Sequence, residues 1–305
     1  LNELVHYLNP PSGFLQNCNS SPFSAAGFNS LNKKGYPTYM APEGENFRSL
    51  YAVKKIAEKK DWTIEEITSL GYDTHLSAFD TLLPPLLKDL NALAPNNTDY
   101  GNLREAGDTL RNWNRRSAVN SVATTVAVFW AYTILSATRK GVPENADDVQ
   151  LTAWYIHNTT PQEKLQALSS VLSGLQNLYG TWKTPWGEIN RFQRNNGALQ
   201  PAFNNNETSE PSGLGPAGFG SLPSFETAWQ EGRQYGMAGN SFVAVVEFGK
   251  TIKARSIATG GQSFNPSSNN FTDQSSRFLT GNLKEVRFYK TDVEKHAQRT
   301  YRLAE

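Results

Sequence analysis

Asn9-Pro-Pro-Ser-Gly-Phe-Leu-Gln-Asn-Cys-Asn-Ser-Ser-Pro22 is the most chemically pointed stretch of the chain. Its asparagines Asn17 and Asn19 are spaced i, i+2, which on an extended segment turns both carboxamides to one face and Cys18 to the other. A carboxamide donates two N–H bonds without competing for a proton. Such a donor suits an oxyanion hole, where charge develops on a carbonyl oxygen. On composition alone, an Asn-rich turn is the reading to prefer. Cys18 has no basic activator nearby in sequence, so packing is expected of it rather than nucleophilic chemistry.

Outward from this stretch, residues 1–42 are rich in Asn, Pro, Gly and Ser, the chemistry of loops and short strands. Residues 43–180 read as helical. Phe47, Leu50, Tyr51, Lys54 and Ile56 open an amphipathic stretch, and Thr63-Ile-Glu-Glu66 and Thr160-Pro-Gln-Glu163 are capping boxes, the second with Pro161 at the first helical position. After it Leu165, Leu168, Val171, Leu172 and Leu175 recur at three and four residues. Leu76 to Leu93 carries Pro84 and Pro85, which should break or kink it. Leu103 to Trp113 and Ser121 to Thr138 complete a bundle-like set. From Trp182 aromatic clusters and Gly-rich loops take over. Residues 195–224 read as loop, Ser241 to Phe248 as a strand covered on both faces, and Lys253 to Ala258 as its shorter partner. Strand-like ends around a helical middle give an α+β expectation.

The chain has 305 residues with 29 Lys and Arg against 28 Asp and Glu, a net charge of +1. No block of five or more like charges occurs, which argues against nucleic acid or an anionic membrane as the main partner. The apolar run Val119 to Leu135 is broken by Asn120, Ser121, Thr124, Thr125 and Thr133 and reads as a buried helix, not a membrane span. A single cysteine excludes an internal disulfide framework and a Cys-rich zinc module. Leu1-Asn-Glu-Leu-Val-His6 has no initiator Met and no signal-like segment. An excised part of a longer polypeptide is expected.

Other constellations carry less. Gly213, Gly215 and Gly218 spell G-x-G-x-x-G, but Pro211, Pro216 and Pro223 surround them, so a surface loop is expected rather than a nucleotide cradle. His6, His75, His157 and His296 lack the spacing of a metal site. Asp73 and His75 could orient one another, but no G-x-S-x-G elbow supplies a nucleophile.

The segment Gly13 to Phe23 resembles a strand of the penicillin acylase family of N-terminal-nucleophile hydrolases. Its Gln16-Asn-Cys-Asn19 form is most similar to the acyl-homoserine-lactone acylase and aculeacin acylase branch. Trp186-Gly-Glu-Ile-Asn-Arg191 is similar to that branch's W-G-D-x-H-R element, with Asn190 where His is usual. Gly239 to Phe248 and Thr259 to Gln274 resemble the family's C-terminal strand pair and its G-Q-S-x-x-P...D-Q signature. The blocks fall in the family's order and span nearly the whole chain.

The resemblance implies a four-layer αββα sandwich with a large helical insertion. Residues 1–42 would be the active-site strand and loop, 43–180 the helical region, and 181–305 the strand-rich region completing the core. It also implies autocatalytic processing and a nucleophilic Ser at a chain N-terminus, whose own α-amino group serves as base. That Ser is expected upstream of Leu1, so this chain reads as the C-terminal part of the larger chain. Asn19 matches the family's side-chain oxyanion donor, and Arg48 in Glu45-Asn-Phe-Arg48 matches an arginine that positions groups near it. A structural calcium in some members uses an Asp where the interval Pro22 to Lys60 has only Glu43, Glu45 and Glu58, so no metal is carried over, and no cofactor is implied. The implied partners are an acyl-amide substrate and the N-terminal remainder of the same precursor. The implied setting is the bacterial periplasm or exterior, and antibiotics or quorum signals are the implied targets. The rival is a non-catalytic binding or structural domain that keeps the fold; a scissile Gly-Ser pair upstream would favour the enzyme. On the enzyme reading the pure chain is inert toward long-chain acyl-homoserine lactones and phenylacetyl amides, and robust turnover by it would overturn an upstream serine.

Overall fold

The computed structural model describes residues 3–93, 101–195 and 202–302. The chain divides into two compact units, Leu1–Asp61 with Asp73–Gly239, and Trp62–Tyr72 with Asn240–Glu305. The α+β expectation holds, with helices concentrated before residue 180 and paired strands after it.

The first unit holds the helices α1 (Phe47–Ile56), α3 (Phe79–Asn91), α4 (Gly101–Arg111), α5 (Val122–Thr138), α6 (Asp148–Asn158) and α7 (Pro161–Tyr179), of which α1, α5, α6 and α7 start at a side-chain cap. The helix between α1 and α3, α2 (Ile64–Gly71), belongs to the second unit. Ser121 caps α5 by accepting from the Thr124 amide, and Thr160 and Glu163 close a reciprocal box on α7. α5 is apolar on nearly every side. A helix without a polar face must be surrounded, and α4, α6 and α7 all pack on it. Among the described residues no helix is long and apolar enough to cross a membrane.

The proline pair does not break α3, which runs through Pro84 and Pro85. The two residues remove two amide donors. Leu82, Leu83 and Leu86 beside them are essentially fully buried, each contributing about 1.5–3 kcal/mol of burial, and that packing outweighs the lost bonds. Phe79 meets Phe219 at 5.1 Å and Trp113 at 5.2 Å between ring centroids. Phe47, the first residue of α1, joins the same core.

A four-residue helix, α8 (Trp186–Ile189), follows and leads directly into β1 (Asn190–Phe192). With β2 (Glu210–Pro211), β3 (Phe225–Gln230) and β4 (Arg233–Gly239) it forms a sheet of order β2-β1-β4-β3, in which β1 is parallel to β4 and antiparallel to β2. β2 and a 3-10 turn at Ala217–Phe219 interrupt the expected 195–224 loop, of which residues 196–201 lie outside the described residues. The β3–β4 hairpin turns at Glu231 and Gly232, both at positive φ (42° and 84°). Such a two-residue turn matches the strands' twist, and glycine takes that conformation without strain.

The expected strand in residues 1–42 is absent among the described residues. Three short 3-10 turns stand there instead, at Pro22–Ser24, Gly27–Asn29 and Lys33–Gly35. Positive φ at Asn9, Asn19 and Ala41 bends the backbone out of any ladder.

The second unit holds β5 (Phe242–Glu247), β6 (Lys253–Ala258) and β7 (Lys284–Glu285) in that order, with β5 and β6 antiparallel from Phe242 opposite Ala258 to Glu247 opposite Lys253. α2 packs on β5, and Arg255 reaches Glu65 at 2.6 Å. β5 is an edge strand and is not covered on both faces: Phe242 is 62% exposed and Val246 44%. A continuous apolar run predicts two buried faces, whereas here one face is bare.

Between α7 and α3 the Lys164 ammonium lies 2.7 Å from Asp89 Oδ2, their side chains only 7% and 12% exposed. Removing one partner leaves a buried charge alone. Lys164→Met is therefore expected to cost about 3–5 kcal/mol in urea unfolding, and adding Asp89→Leu should recover most of it; an unchanged midpoint in the single variant would refute the pairing.

Candidate active site

The first turn of α1 holds the loop that carries the asparagines. Asn46 is its N-cap: Oδ1 accepts from the Ser49 amide at 2.9 Å, the ordinary way an Asn satisfies a free helical N–H. The same side chain turns its Nδ2 to the loop, donating to Cys18 O at 2.9 Å and Asn19 O at 3.3 Å. Ser49 Oγ accepts from Gln16 Nε2 at 2.8 Å. Within the loop the Asn19 amide donates to Asn17 Oδ1 at 2.9 Å, an Asx turn, and Asn19 sits at φ 57°. Asn tolerates that conformation better than other side chains except Gly.

Asn19 and Arg48, 29 residues apart in sequence, meet here. Arg48 Nη2 donates to Asn19 Oδ1 at 2.9 Å and to Cys18 O at 3.1 Å. A guanidinium only donates, so it selects the oxygen end of the carboxamide. The Asn19 NH2 is thereby the end left for another acceptor, on an exposed side chain. Asn17 and Asn19 are exposed and Cys18 is half-buried, the facing expected from i, i+2 spacing although the segment is not a strand. Burial pushes the Cys18 thiol up, partly offset by the Arg48 charge. A thiol held protonated is a poor nucleophile.

Behind the loop, Ser24 Oγ donates to Glu45 Oε2 at 3.0 Å and the Glu45 amide donates to Asp147 Oδ2 at 3.0 Å. Burial raises the Glu45 carboxyl, with Asp147 adding to the rise and Ser24 and Lys33 opposing it. One turn along α1 from Arg48, the Tyr51 hydroxyl donates to Asp73 Oδ2 at 2.7 Å. Asp73 also accepts from the His75 amide at 2.9 Å and pairs with Arg116. The His75 ring goes to Asp80 at 3.1 Å, which also takes Arg115. Asp73 and His75 thus meet through the backbone, not as an Asp–His dyad.

The glycine loop is a packed joint. A Cβ on Gly215 would lie 2.7 Å from Leu76 Cδ2 and 2.8 Å from Ser117 Oγ. Its carbonyls are already engaged: Asn190 Nδ2 donates to Ser212 O and Leu214 O, and the Trp186 indole donates to Leu214 O. The turn after it is three residues long, too short to offer a helix N-terminus to a phosphate. Beside it lies a cavity of about 360 Å³ walled by Tyr132, Trp186, Asn190, Leu214, Phe225 and Gln234; neither Asn19 nor Arg48 lines it. Among the described residues no group of three His, Cys, Asp or Glu could hold a metal ion.

The sequence profile of the penicillin amidase family matches residues 1–295. A thermostable penicillin G acylase from Alcaligenes faecalis, solved in an orthorhombic form, superposes with a TM-score of 0.57 at 16% identity, over 97% of this chain and 57% of that one. The chain therefore spans little more than half the length of this structural relative.

The network around α1 has a pH signature. Burial opposes ionisation of Asp73, but Arg116, Tyr51 and the His75 amide more than offset it, and the carboxyl is held below the ordinary aspartate value of 3.8. Asp80 is lowered in the same sense, burial being outweighed by His75 and Arg115. A lowered carboxyl stabilises the fold fully above the unfolded value and loses that contribution as pH falls through the folded one. The stability gap between the parent chain and Asp73→Asn should thus be full at neutral pH and shrink below about pH 4; a gap that widens on acidification in chemical unfolding would reverse the assignment.

Proposed function

The chain belongs to the penicillin amidase family, and from that premise we propose that it is the part of an acylase-type amide hydrolase that supplies the side-chain oxyanion donor. The observation that carries the reading is the Arg48 contact to Asn19 Oδ1 at 2.9 Å. It leaves the Asn19 NH2 as the outward end of the group.

In the proposed reaction an upstream N-terminal Ser, deprotonated by its own α-amine, attacks the carbonyl carbon of an acyl amide. The carbonyl oxygen becomes an oxyanion and accepts from Asn19 Nδ2. The α-amine's proton passes to the leaving nitrogen as the C–N bond breaks, giving an acyl ester. Water then adds to the ester carbonyl through a second oxyanion, and the carboxylic acid departs as the serine hydroxyl re-forms. Arg48 holds the donor and adds positive charge beside it, which favours a developing negative charge where water is excluded.

The finer readings rest on the sequence blocks. Gln16-Asn-Cys-Asn19 supports the acyl-homoserine-lactone and aculeacin acylase branch, hence fatty or aromatic acyl amides as substrates and quorum signals or antibiotics as targets. The division into an active-site segment at 1–42, a helical region at 43–180 and a strand-rich region at 181–305 is supported by the order of the elements. The four-layer αββα sandwich, autocatalytic processing and a bacterial periplasmic or secreted setting follow from the resemblance. The bare edge and exposed apolar face of β5 support the remainder of the precursor as the partner that covers them.

In the complete protein Asn19→Ala should lower kcat roughly 100- to 1,000-fold with KM much less affected, because the bond strengthens only as charge develops. Asn19→Gly should lose as much activity while tolerating the positive φ better. Cys18→Ser should be nearly silent, since the contacts to Asn46 and Arg48 use the Cys18 carbonyl. Steady-state kinetics on phenylacetyl amides and acyl-homoserine lactones read all three, and a harmless Asn19→Ala beside a crippling Cys18→Ser would overturn the assignment.

A further inference from the structure

We propose that Asn46 is a positioning residue for Asn19, an inference that rests on the reading of Asn19 as oxyanion donor. Its two ends do separate jobs. Oδ1 caps α1 through the Ser49 amide, a task that Asp or Ser performs about as well. Nδ2 donates to the carbonyls of Cys18 and Asn19, a task that neither can perform. Capping alone therefore does not account for a carboxamide at position 46.

The second job bears on where the donor points. Asn19 sits at φ 57°, a conformation costly for a residue with a Cβ unless its surroundings hold it there. Nδ2 of Asn46 holds the carbonyls on either side of that residue's own amide and Cα. Arg48 fixes the oxygen of the side chain and shares the Cys18 carbonyl, whereas Asn46 holds both the Cys18 and the Asn19 carbonyls of the backbone from which the side chain departs. Both come from one rigid helical turn, whose Phe47 is locked into the core. Besides Asn46 and Arg48, the side-chain tie of the loop to this turn among the described residues runs from Gln16 to Ser49, three residues before Asn19. Without Asn46 the Asn19 carbonyl loses its side-chain tie to α1 and the Cys18 carbonyl keeps only the 3.1 Å contact from Arg48, and a displacement of the order of 1 Å at a reacting group costs about 100-fold in rate.

Asn46→Ser tests this, because it keeps the cap and deletes the clamp. In the complete processed protein it should lower kcat on phenylacetyl-para-nitroanilide or a long-chain acyl-homoserine lactone roughly 10- to 100-fold, with KM and the thermal midpoint little changed. Asn46→Asp should do the same, since its second oxygen would face two carbonyl oxygens. In an Asn19→Ala background Asn46→Ser should cost nothing further, the coupling expected of a residue that acts through another. A crystal structure of Asn46→Ser reads the result without a substrate: Asn19 is expected to leave its left-handed conformation or its contact with Arg48. Full activity in Asn46→Ser beside a crippled Asn19→Ala, multiplying losses in the double variant, an unmoved Asn19, or an Asn46→Ser that fails to fold would each overturn the inference while leaving the oxyanion reading standing. A harmless Asn19→Ala would overturn both.

Discussion

The burial of α5 is the constraint on which the first unit hangs. Val126, Ala127, Val128, Trp130 and Ala131 are all fully buried, so this stretch of the helix has no side to give to water and must be enclosed. α4, α6 and α7 enclose it, and Trp130 settles its one polar atom by donating to the Lys164 carbonyl at 3.1 Å. The shell reaches the candidate site through aromatic packing. Phe79 and Tyr132 both meet Phe219, and Phe47 belongs to the same cluster. The loop at residues 16–19 thus takes its geometry from this core by way of the first turn of α1.

The chemistry of that turn is economical in charge. Asn46, Arg48 and Ser49 all hold the loop, and only Arg48 is charged. A neutral donor fixed by a cation behaves differently from a cation alone: the guanidinium is occupied by two acceptors and orients the group that does the donating. The acidic residues nearby, Glu45 and Asp147, lie behind the loop and contact backbone or Ser24, away from the outward-facing carboxamide.

Legibility in the sequence follows the range of the forces involved. The capping boxes at Thr63 and Thr160 depend on residues three apart, and the structure has both. The burial of α5 was readable because hydropathy is a local sum. Pro84 and Pro85 do not end α3 because their cost is local whereas the burial that outweighs it comes from distant helices. The strand expected around Phe14 failed on Asn19, whose positive φ no pattern of residue types announces, although the outward facing of Asn17 and Asn19 was correct. β5 was misjudged because a run of β-formers does not reveal which strand lies at an edge. The β3–β4 hairpin was missed, although Glu231-Gly232 between two mixed runs is a two-residue turn signal. Asn19 and Arg48 came from family resemblance, since a separation of 29 residues says nothing of contact. Asn46 went unremarked, yet an Asn directly before the apolar start of a helix is a readable cap.

The hold of Arg48 on the carboxamide oxygen has an evolutionary edge. Asp differs from Asn by replacing the NH2 with a second oxygen, and a single base change converts one codon into the other. At position 19 that carboxylate would meet the guanidinium with a full charge, a stronger attraction than the present neutral one, and would present an acceptor where a donor stands. The contact with Arg48 would strengthen and the proposed chemistry would lose its donor. Position 19 is then a site where the local contact and the proposed chemistry pull in opposite directions.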